Sequence, residues 1–152
     1  GGIHTEKGMS VLSICSTKMC GDLVLLGIVP RKSFNKTAYI PSIDVLFIPH
    51  FLRGVVDGDG WLSIYPRKNR PSLMFEIGFS NCNKDFLEEI KCFITKSLGN
   101  ERGSIRPVGS IYRLTYDGCK SACDVSRLLY DNASVYLDRK FNQYLKMRSY
   151  FV

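Results

Sequence analysis

The stretch FLRGVVDGDGWLSI, residues 51–64, joins an apolar helix to a strand through two aspartates set among glycines. Up to Val56 the pattern is typical of a helix, and after Gly60 apolar residues alternate with a period of two, as in a strand. Asp57 and Asp59 therefore stand at the carboxyl end of a helix, where the dipole disfavours negative charge. We expect a local feature to offset that placement.

The composition is that of a globular chain with a basic surface. Of 152 residues, 45% are hydrophobic and 23% are charged, and the formal net charge is +7. This length allows one domain with a sizeable core, or one and a half small ones. No apolar run reaches the roughly 18 residues of a membrane span, so we expect no membrane partner. The positive charge favours a polyanionic partner, with nucleic acid first.

The six cysteines do not have the spacing of a zinc site. None of them forms a C-x-x-C pair, and neither His4 nor His50 lies near them in the sequence. The simplest interpretation is free cysteines in a reducing compartment, which predicts an intracellular protein.

The residues after the motif predict an α+β unit. Strands are expected in residues 61–67 and 72–80, a helix in 83–99, a second hairpin in 103–116, and helices in 120–130 and 135–150. With the motif helix, the order is α-β-β-α-β-β-α-α. It predicts a four-stranded antiparallel sheet with its helices on one face.

The other face of that sheet is expected to be exposed and to carry polar and basic side chains. They are Ser63, Tyr65, Arg67, Asn69, Ser72, Met74, Glu76, Arg106, Arg113 and Thr115. Antiparallel sheets often have one solvated face, which is one interpretation. The other is a DNA-reading surface, because such side chains contact both phosphates and base edges. The net charge favours the second.

The segment LRGVVDGDG, residues 52–60, resembles the defining motif of the LAGLIDADG homing endonucleases. Five positions match the family name letter for letter: Leu52, Gly54, Asp57, Asp59 and Gly60. Arg53 replaces a small residue and is the main departure. The order of elements over residues 50–150 is similar to one half of such an enzyme, and YLDRKFNQY, residues 136–144, resembles the C-terminal helix of two-motif members.

The resemblance implies a composite metal site. Gly54 and Gly58 are four residues apart, so a second motif helix could approach closely. Two such helices would each present an aspartate at the same place, and Mg²⁺ or Mn²⁺ would offset the clustered charge. The family implies Asp59 as the metal ligand, with the Gly58 carbonyl nearby, and Asp57 as a brace of the turn. The expected helix interface comprises Leu52, Gly54, Val55 and Gly58.

Two further catalytic residues are implied by the family. A basic residue commonly follows the last strand near the active centre, and Lys120 is the candidate. A polar residue late in the second strand holds the attacking water. Ser80 is nearest to that position, although an ungapped alignment places Phe79 there.

The resemblance implies a sequence-specific endonuclease for double-stranded DNA that hydrolyses phosphodiesters with a divalent metal. The alternative is a nucleic-acid-binding module without cleavage on the same fold, either an RNA maturase or a DNA-binding regulator. DGDG could also be a plain turn. A calcium loop is disfavoured, because Trp61, Leu62 and Lys68 stand where that loop needs an oxygen ligand, glycine and glutamate.

The first 48 residues show a weak repeat of the last part of the chain. With a shift of 102 positions, Leu12 falls on Leu114 and Lys18 falls on Lys120. We therefore interpret residues 1–48 as the strand, helix and linker of a preceding LAGLIDADG half, and 49–152 as a LAGLIDADG domain. The expected protein partner is a second half, in the same chain or in a homodimer.

Overall fold

The computed structural model of the chain describes residues 2–6, 9–28, 38–68 and 71–150. A hairpin of β1 (Gly2–Glu6) and β2 (Met9–Ser13) precedes helix α1 (Thr17–Leu25). A 3-10 turn (Val45–Phe47) leads into the motif helix α2 (Ile48–Asp59). The remaining elements are β3 (Trp61–Pro66), β4 (Leu73–Asn81), α3 (Lys84–Leu98), β5 (Ser104–Val108), β6 (Ile111–Asp117), α4 (Cys119–Tyr130) and α5 (Asp138–Ser149).

The second sheet has the strand order β3-β4-β6-β5, and every neighbouring pair is antiparallel. The inward residues of β4, which are Phe75, Ile77 and Phe79, are buried against α2, α3 and α4. Leu114 and Tyr116 of β6 extend the same core. The predicted α+β class, with four antiparallel strands and helices on one face, is confirmed.

Local signals define the ends of α3 as the sequence predicts. The Asn83 side chain accepts a hydrogen bond from the Asp85 amide at 3.0 Å, which caps the first turn. Gly99 ends the helix in the left-handed region, with φ of 63°, and its amide donates to the Thr95 carbonyl.

The N-terminal segment contains one strand more than the strand, helix and linker expected for residues 1–48. Strand β2 ends at Ser13, and α1 ends at Leu25 before Gly27 turns the chain with a φ of 80°. β1 was not predicted, since GIHTE contains one large apolar residue and no clear alternation. The last helix begins at Asp138 because Leu137 before it is extended.

Within the described residues, none of the helices combines the length and the apolar character needed to cross a membrane.

Arg53, the main departure from the motif, points into its own chain. Its side chain is buried, with Nη1 donating to the Leu129 carbonyl at 3.0 Å and Nε donating to the Val135 carbonyl at 2.8 Å. Nη1 also lies 2.8 Å from His50 Nδ1. The guanidinium therefore pairs with a carbonyl in the last turn of α4, which the helix leaves unpaired. It also pairs with a carbonyl in the connection that follows α4.

We predict that Arg53→Met lowers the free energy of unfolding by about 2–4 kcal/mol, because two carbonyls lose their charged donor. Urea unfolding at constant m-value measures the change. Arg102→Met, at an exposed position, is the control and should change stability by less than about 0.5 kcal/mol. Equal effects of the two substitutions would contradict this role of Arg53.

Candidate active site

The two aspartates at the end of α2 have different environments. The Asp57 carboxylate accepts hydrogen bonds from the Tyr130 hydroxyl at 2.6 Å and from the Leu137 amide at 3.0 Å. Burial raises the pKa of Tyr130 far above its usual value, and the bond to Asp57 raises it further, so the phenol remains a donor. Asp57 therefore ties the end of α2 to α4 and to the start of α5.

Asp59 is exposed, and its carboxylate forms no hydrogen bond or ion pair within the described residues. It lines a cavity of about 410 Å³ together with Gly54, Gly58 and Asn81. This carboxylate has its oxygens free for a ligand, whereas the oxygens of Asp57 are occupied by protein donors.

Lys140 supplies the positive charge that the end of α2 requires. Its side chain is 3% exposed, and Nζ donates to the carbonyls of Gly60 at 2.7 Å, Asp57 at 3.0 Å and Val56. An ammonium has three protons, so all are used. Burial lowers the pKa of Lys140, as does Arg139, whereas Asp57 and Asp59 raise it. The ammonium thus offsets both the helix dipole and the two carboxylates.

Gly60 allows the end of α2 to lie against the sheet. A Cβ at this position would be 2.4 Å from the Gly78 carbonyl oxygen, so a side chain does not fit. Trp61 follows Gly60, and its ring covers Gly78 so closely that a Cβ at Gly78 would lie 2.2 Å from a ring atom. These two close approaches fix Asp59 near the C-terminal end of β4.

The end of β4 brings the region of Ser80 towards Asp59. Ser80 is half-buried on the outer face, opposite Arg113 in register, and the adjacent Asn81 lines the cavity with Asp59. Phe79 is fully buried in the core and does not face this cavity.

The structure does not bring Lys120 to Asp59. Lys120 lies in the first turn of α4, next to Cys119, whose Sγ is 3.4 Å from the Leu73 carbonyl at the start of β4. Gly60 meets β4 at Gly78, five residues along the strand, which is roughly 17 Å away. Lys120 Nζ instead pairs with Asp124 at 2.8 Å. The amine at the motif is Lys140, which lies 80 residues beyond Gly60 and gives no spacing signal.

The expected helix interface requires one correction. Gly54 and Gly58 are exposed, and an added Cβ at either would meet nothing within 4 Å. Val55 is half-buried beside them. Leu52, however, is fully buried in the chain's own core and does not reach this open face. Leu52 and Val56 lie four residues apart, and that stripe of α2 packs inward.

The donor set for a metal is small. Among the described residues, no three or more histidine, cysteine, aspartate or glutamate side chains form a group that could hold an ion. Asp59 contributes one free carboxylate, and Gly58 is exposed beside it. Oxygen donors of this kind suit a hard divalent cation, but as part of a larger set.

The outer sheet face carries most of the side chains predicted for it. Those in strands are Ser63, Tyr65, Met74, Glu76, Arg106, Arg113 and Thr115. Arg67 and Ser72 are exposed in the connection between β3 and β4, where the Arg67 amide donates to the Ser72 carbonyl at 2.9 Å. Asn69 lies outside the described residues.

A cluster on this face fixes several of its side chains. Glu76 accepts hydrogen bonds from Trp61 Nε1 and from the Tyr65 hydroxyl, the latter at 3.1 Å. The Arg113 guanidinium lies 5.4 Å from the Trp61 ring centroid, within range of a cation–π contact. Arg106 and Arg113 are directly opposite in register. Such like charges repel unless an anion lies between or above them.

Comparison with known proteins identifies the fold. No family model and no curated protein matches the sequence. The archaeal intron-encoded homing endonuclease I-Vdi141I, complexed with DNA, superposes with a TM-score of 0.52 at 20% identity. The homing endonucleases I-TnaI (18% identity) and I-CvuI, the latter with its target and 2 mM Ca (17% identity), each give 0.50.

The chain has the fold of a homing endonuclease. The alignments cover 68%, 66% and 68% of this chain and 65%, 69% and 66% of I-Vdi141I, I-TnaI and I-CvuI. About a third of each of those proteins therefore has no counterpart in the superposition. The homing-endonuclease fold agrees with the fold that the motif implied.

We predict that substitution of Asp57 destabilises the chain and that substitution of Asp59 does not. Asp57→Ala should lower the free energy of unfolding by about 1–3 kcal/mol, because Tyr130 and the Leu137 amide lose their acceptor. Asp59→Ala should change it by less than about 0.5 kcal/mol. Denaturant unfolding of the two variants measures both changes, and a larger loss at Asp59 would contradict the assignment.

Lys140→Met should lower the free energy of unfolding by about 2–4 kcal/mol, because the half-buried carbonyls of Asp57 and Gly60 lose their charged donor. Lys146→Met is the matched control, since Lys146 is exposed on the same helix; we expect a change below about 1 kcal/mol. Thermal unfolding compares the two. A tolerated Lys140→Met would show that the cap is dispensable.

Proposed function

We propose that this chain is a sequence-specific endonuclease for double-stranded DNA, with phosphodiester hydrolysis that depends on a divalent metal. The observation that carries the proposal is Asp59, a free carboxylate at the end of a braced motif helix. It lies beside an open helix face, at the edge of a sheet bearing outward arginines. The homing-endonuclease fold supports the same proposal.

The outer sheet face would bind the major groove. Arg106 and Arg113 are opposite each other, so a phosphate or guanine edge would relieve their repulsion. The contact with Trp61 orients Arg113, and Glu76 orients Trp61 in turn. Side chains held in this way lose less entropy on binding than free ones do.

Mg²⁺ or Mn²⁺ fits the oxygen donors at the end of α2. Asp59 would hold it, with the Gly58 carbonyl nearby; when bound, the ion would polarise the scissile phosphate and acidify a bound water. The protein's own part is positional. Asp57, Tyr130 and Lys140 hold the turn, and Ser80 is a candidate to orient the attacking water. The role of Lys120 in stabilising charge on the scissile phosphate stays a prediction.

One free carboxylate gives half of a composite site. We propose that a second motif helix packs on the open face at Gly54 and Gly58 and brings a second aspartate beside Asp59. Either a second half or a second copy of the chain would serve. The first would complete one asymmetric site, and the second would make a symmetric one.

A non-cleaving nucleic-acid-binding module is the second candidate. The small donor set favours it, since among the described residues no three or more histidine, cysteine, aspartate or glutamate side chains form a group that could hold an ion. The outward arginines serve binding equally well in both candidates. The two candidates differ only in whether the chain cleaves DNA in a reaction that requires Asp59.

The test begins with selection of bound duplexes from a random library. We expect binding that weakens steeply with salt, and Arg113→Ala should reduce the salt slope by about one if Arg113 contacts a phosphate. A supercoiled plasmid carrying the selected site should then be nicked or cut in Mg²⁺. Asp59→Asn should bind equally and leave the plasmid intact, whereas Glu88→Gln, on an exposed face of α3, should retain cleavage.

Binding by the wild-type chain without nicking in Mg²⁺ or Mn²⁺ would favour the binding module. Cleavage that persists in Asp59→Asn would contradict the assignment of Asp59. A chain with no salt-sensitive binding to any duplex would contradict both candidates.

A further inference from the structure

The outer sheet face carries acidic as well as basic side chains, and the register places them in separate rows. Arg113 of β6 lies opposite Ser80 on one side and Arg106 on the other. Glu76 of β4 lies opposite Asp117. Ser80 and Glu76 are separated by four residues of β4, which is roughly 14 Å along a strand. A basic row near the end of β4 is thus followed, further back along the strand, by an acidic row.

The Glu76 carboxylate is held by a donor on each of its oxygens. Trp61 Nε1 donates to Oε1, and the Tyr65 hydroxyl donates to Oε2 at 3.1 Å. Both donors are on β3, on either side of Ser63, which is the register partner of Glu76. A carboxylate oxygen can accept two hydrogen bonds. The carboxylate is therefore fixed in orientation and keeps one acceptor site on each oxygen.

The charge of Glu76 is not neutralised by a basic side chain. Within the part of the chain that the structure describes, Glu76 forms no ion pair. Arg113 contacts the Trp61 ring, with its guanidinium carbon 5.4 Å from the ring centroid. Asp117, opposite Glu76 in register and exposed, adds a second negative charge. Two such carboxylates repel a phosphate, so this row does not suit the backbone of a nucleic acid.

A base edge with a hydrogen-bond donor does suit an oriented carboxylate. In the major groove the donors are the amino groups of cytosine N4 and adenine N6, whereas guanine N7 and O6 and thymine O4 are acceptors. The usual partner of a glutamate is cytosine N4. Because Trp61 and Tyr65 already fix Glu76, the carboxylate loses little conformational entropy when it binds a base. Its environment therefore favours base recognition over phosphate contact.

We propose that Glu76 is a specificity-determining residue of the outer sheet face, and that its carboxylate accepts a hydrogen bond from the N4 amino group of a cytosine in the target duplex. Asp117 contributes negative charge to the same row but has no donor that orients it among the described residues, so it does not select a base. This role rests on the proposed function, since it needs duplex DNA on the outer sheet face, but it does not require cleavage.

Selection of bound duplexes from a random library, with EDTA present to prevent cleavage, tests this role. The wild-type chain should select sites in which one position is predominantly cytosine. Glu76→Gln should change the preference at that position from cytosine to adenine, because an amide matches adenine N6 and N7. The preferences at all other positions should be unchanged. The affinity of Glu76→Gln for the wild-type site should fall by about 5- to 150-fold.

Two further variants separate base recognition from general electrostatics. Asp117→Asn removes one negative charge from the same row, so it should raise the affinity for all duplexes by a similar factor and leave every base preference unchanged. Tyr65→Phe removes one donor from an exposed position, so it should weaken the cytosine preference without replacing it by adenine. A cooperative thermal transition verifies that each variant is folded. If Glu76→Gln does not fold, Tyr65→Phe gives the deciding comparison with Asp117→Asn.

Base preferences that stay the same in folded Glu76→Gln, or in Tyr65→Phe where that variant decides, would overturn the role of Glu76. So would an equal change of preference in Asp117→Asn, since the effect would then come from charge alone. In both cases the wild-type chain still binds selected duplexes, so the proposed function would stand. A wild-type chain that binds no duplex would overturn the proposed function and the role of Glu76 together, whereas a chain that binds without cleaving would leave the role intact.

Discussion

The end of α2 depends on the Lys140 ammonium. The last carbonyls of a helix are unpaired and carry partial negative charge, and here two carboxylates are added to them. Lys140 donates to the carbonyls of Val56, Asp57 and Gly60, of which the Val56 carbonyl also accepts the Gly60 amide. The Tyr130 hydroxyl and the Leu137 amide donate to the Asp57 carboxylate. All of these donors come from α4, α5 or the connection between them. The docked C-terminal helices therefore hold the motif turn in place, together with its close contact with Gly78 of β4.

This dependence explains how two aspartates of one motif acquire different properties. Asp57 faces the C-terminal helices and is saturated by protein donors, so it is part of the scaffold. Asp59 lies two residues further on, faces the cavity at the open side of α2 and has no protein donor among the described residues. The buried contacts of Asp57 and Lys140 fix the backbone of the turn. The free Asp59 carboxylate is therefore held in a defined position.

The N-terminal hairpin and helix, β1, β2 and α1, match β5, β6 and α4 with a shift of 102 positions. Comparing these two copies separates local from tertiary effects. Both have the same strand register and the same lysine–aspartate pair one helical turn apart, although only one is packed into a core. The strand register and the ion pair thus recur without burial of the apolar side chains. Burial requires a neighbouring strand and helices, as Leu12 and Leu114 show by their contrasting exposure. An amphipathic pattern therefore predicts an apolar surface, but the neighbouring strand and helices decide whether that surface is buried.

The sequence by itself determined the elements whose signals are local. The change of period at Gly60, the alternation in β3 and β4, and the Asn83 and Gly99 ends of α3 led to the correct fold class and to the outer sheet face. Only the tertiary structure decided that Arg53 caps α4, that Leu52 faces inward, that Lys120 lies far from Asp59 and that Lys140 closes the motif helix. These features depend on how α4 and α5 dock against α2. Such contacts join residues about 80 positions apart, and no periodicity in the chain encodes them.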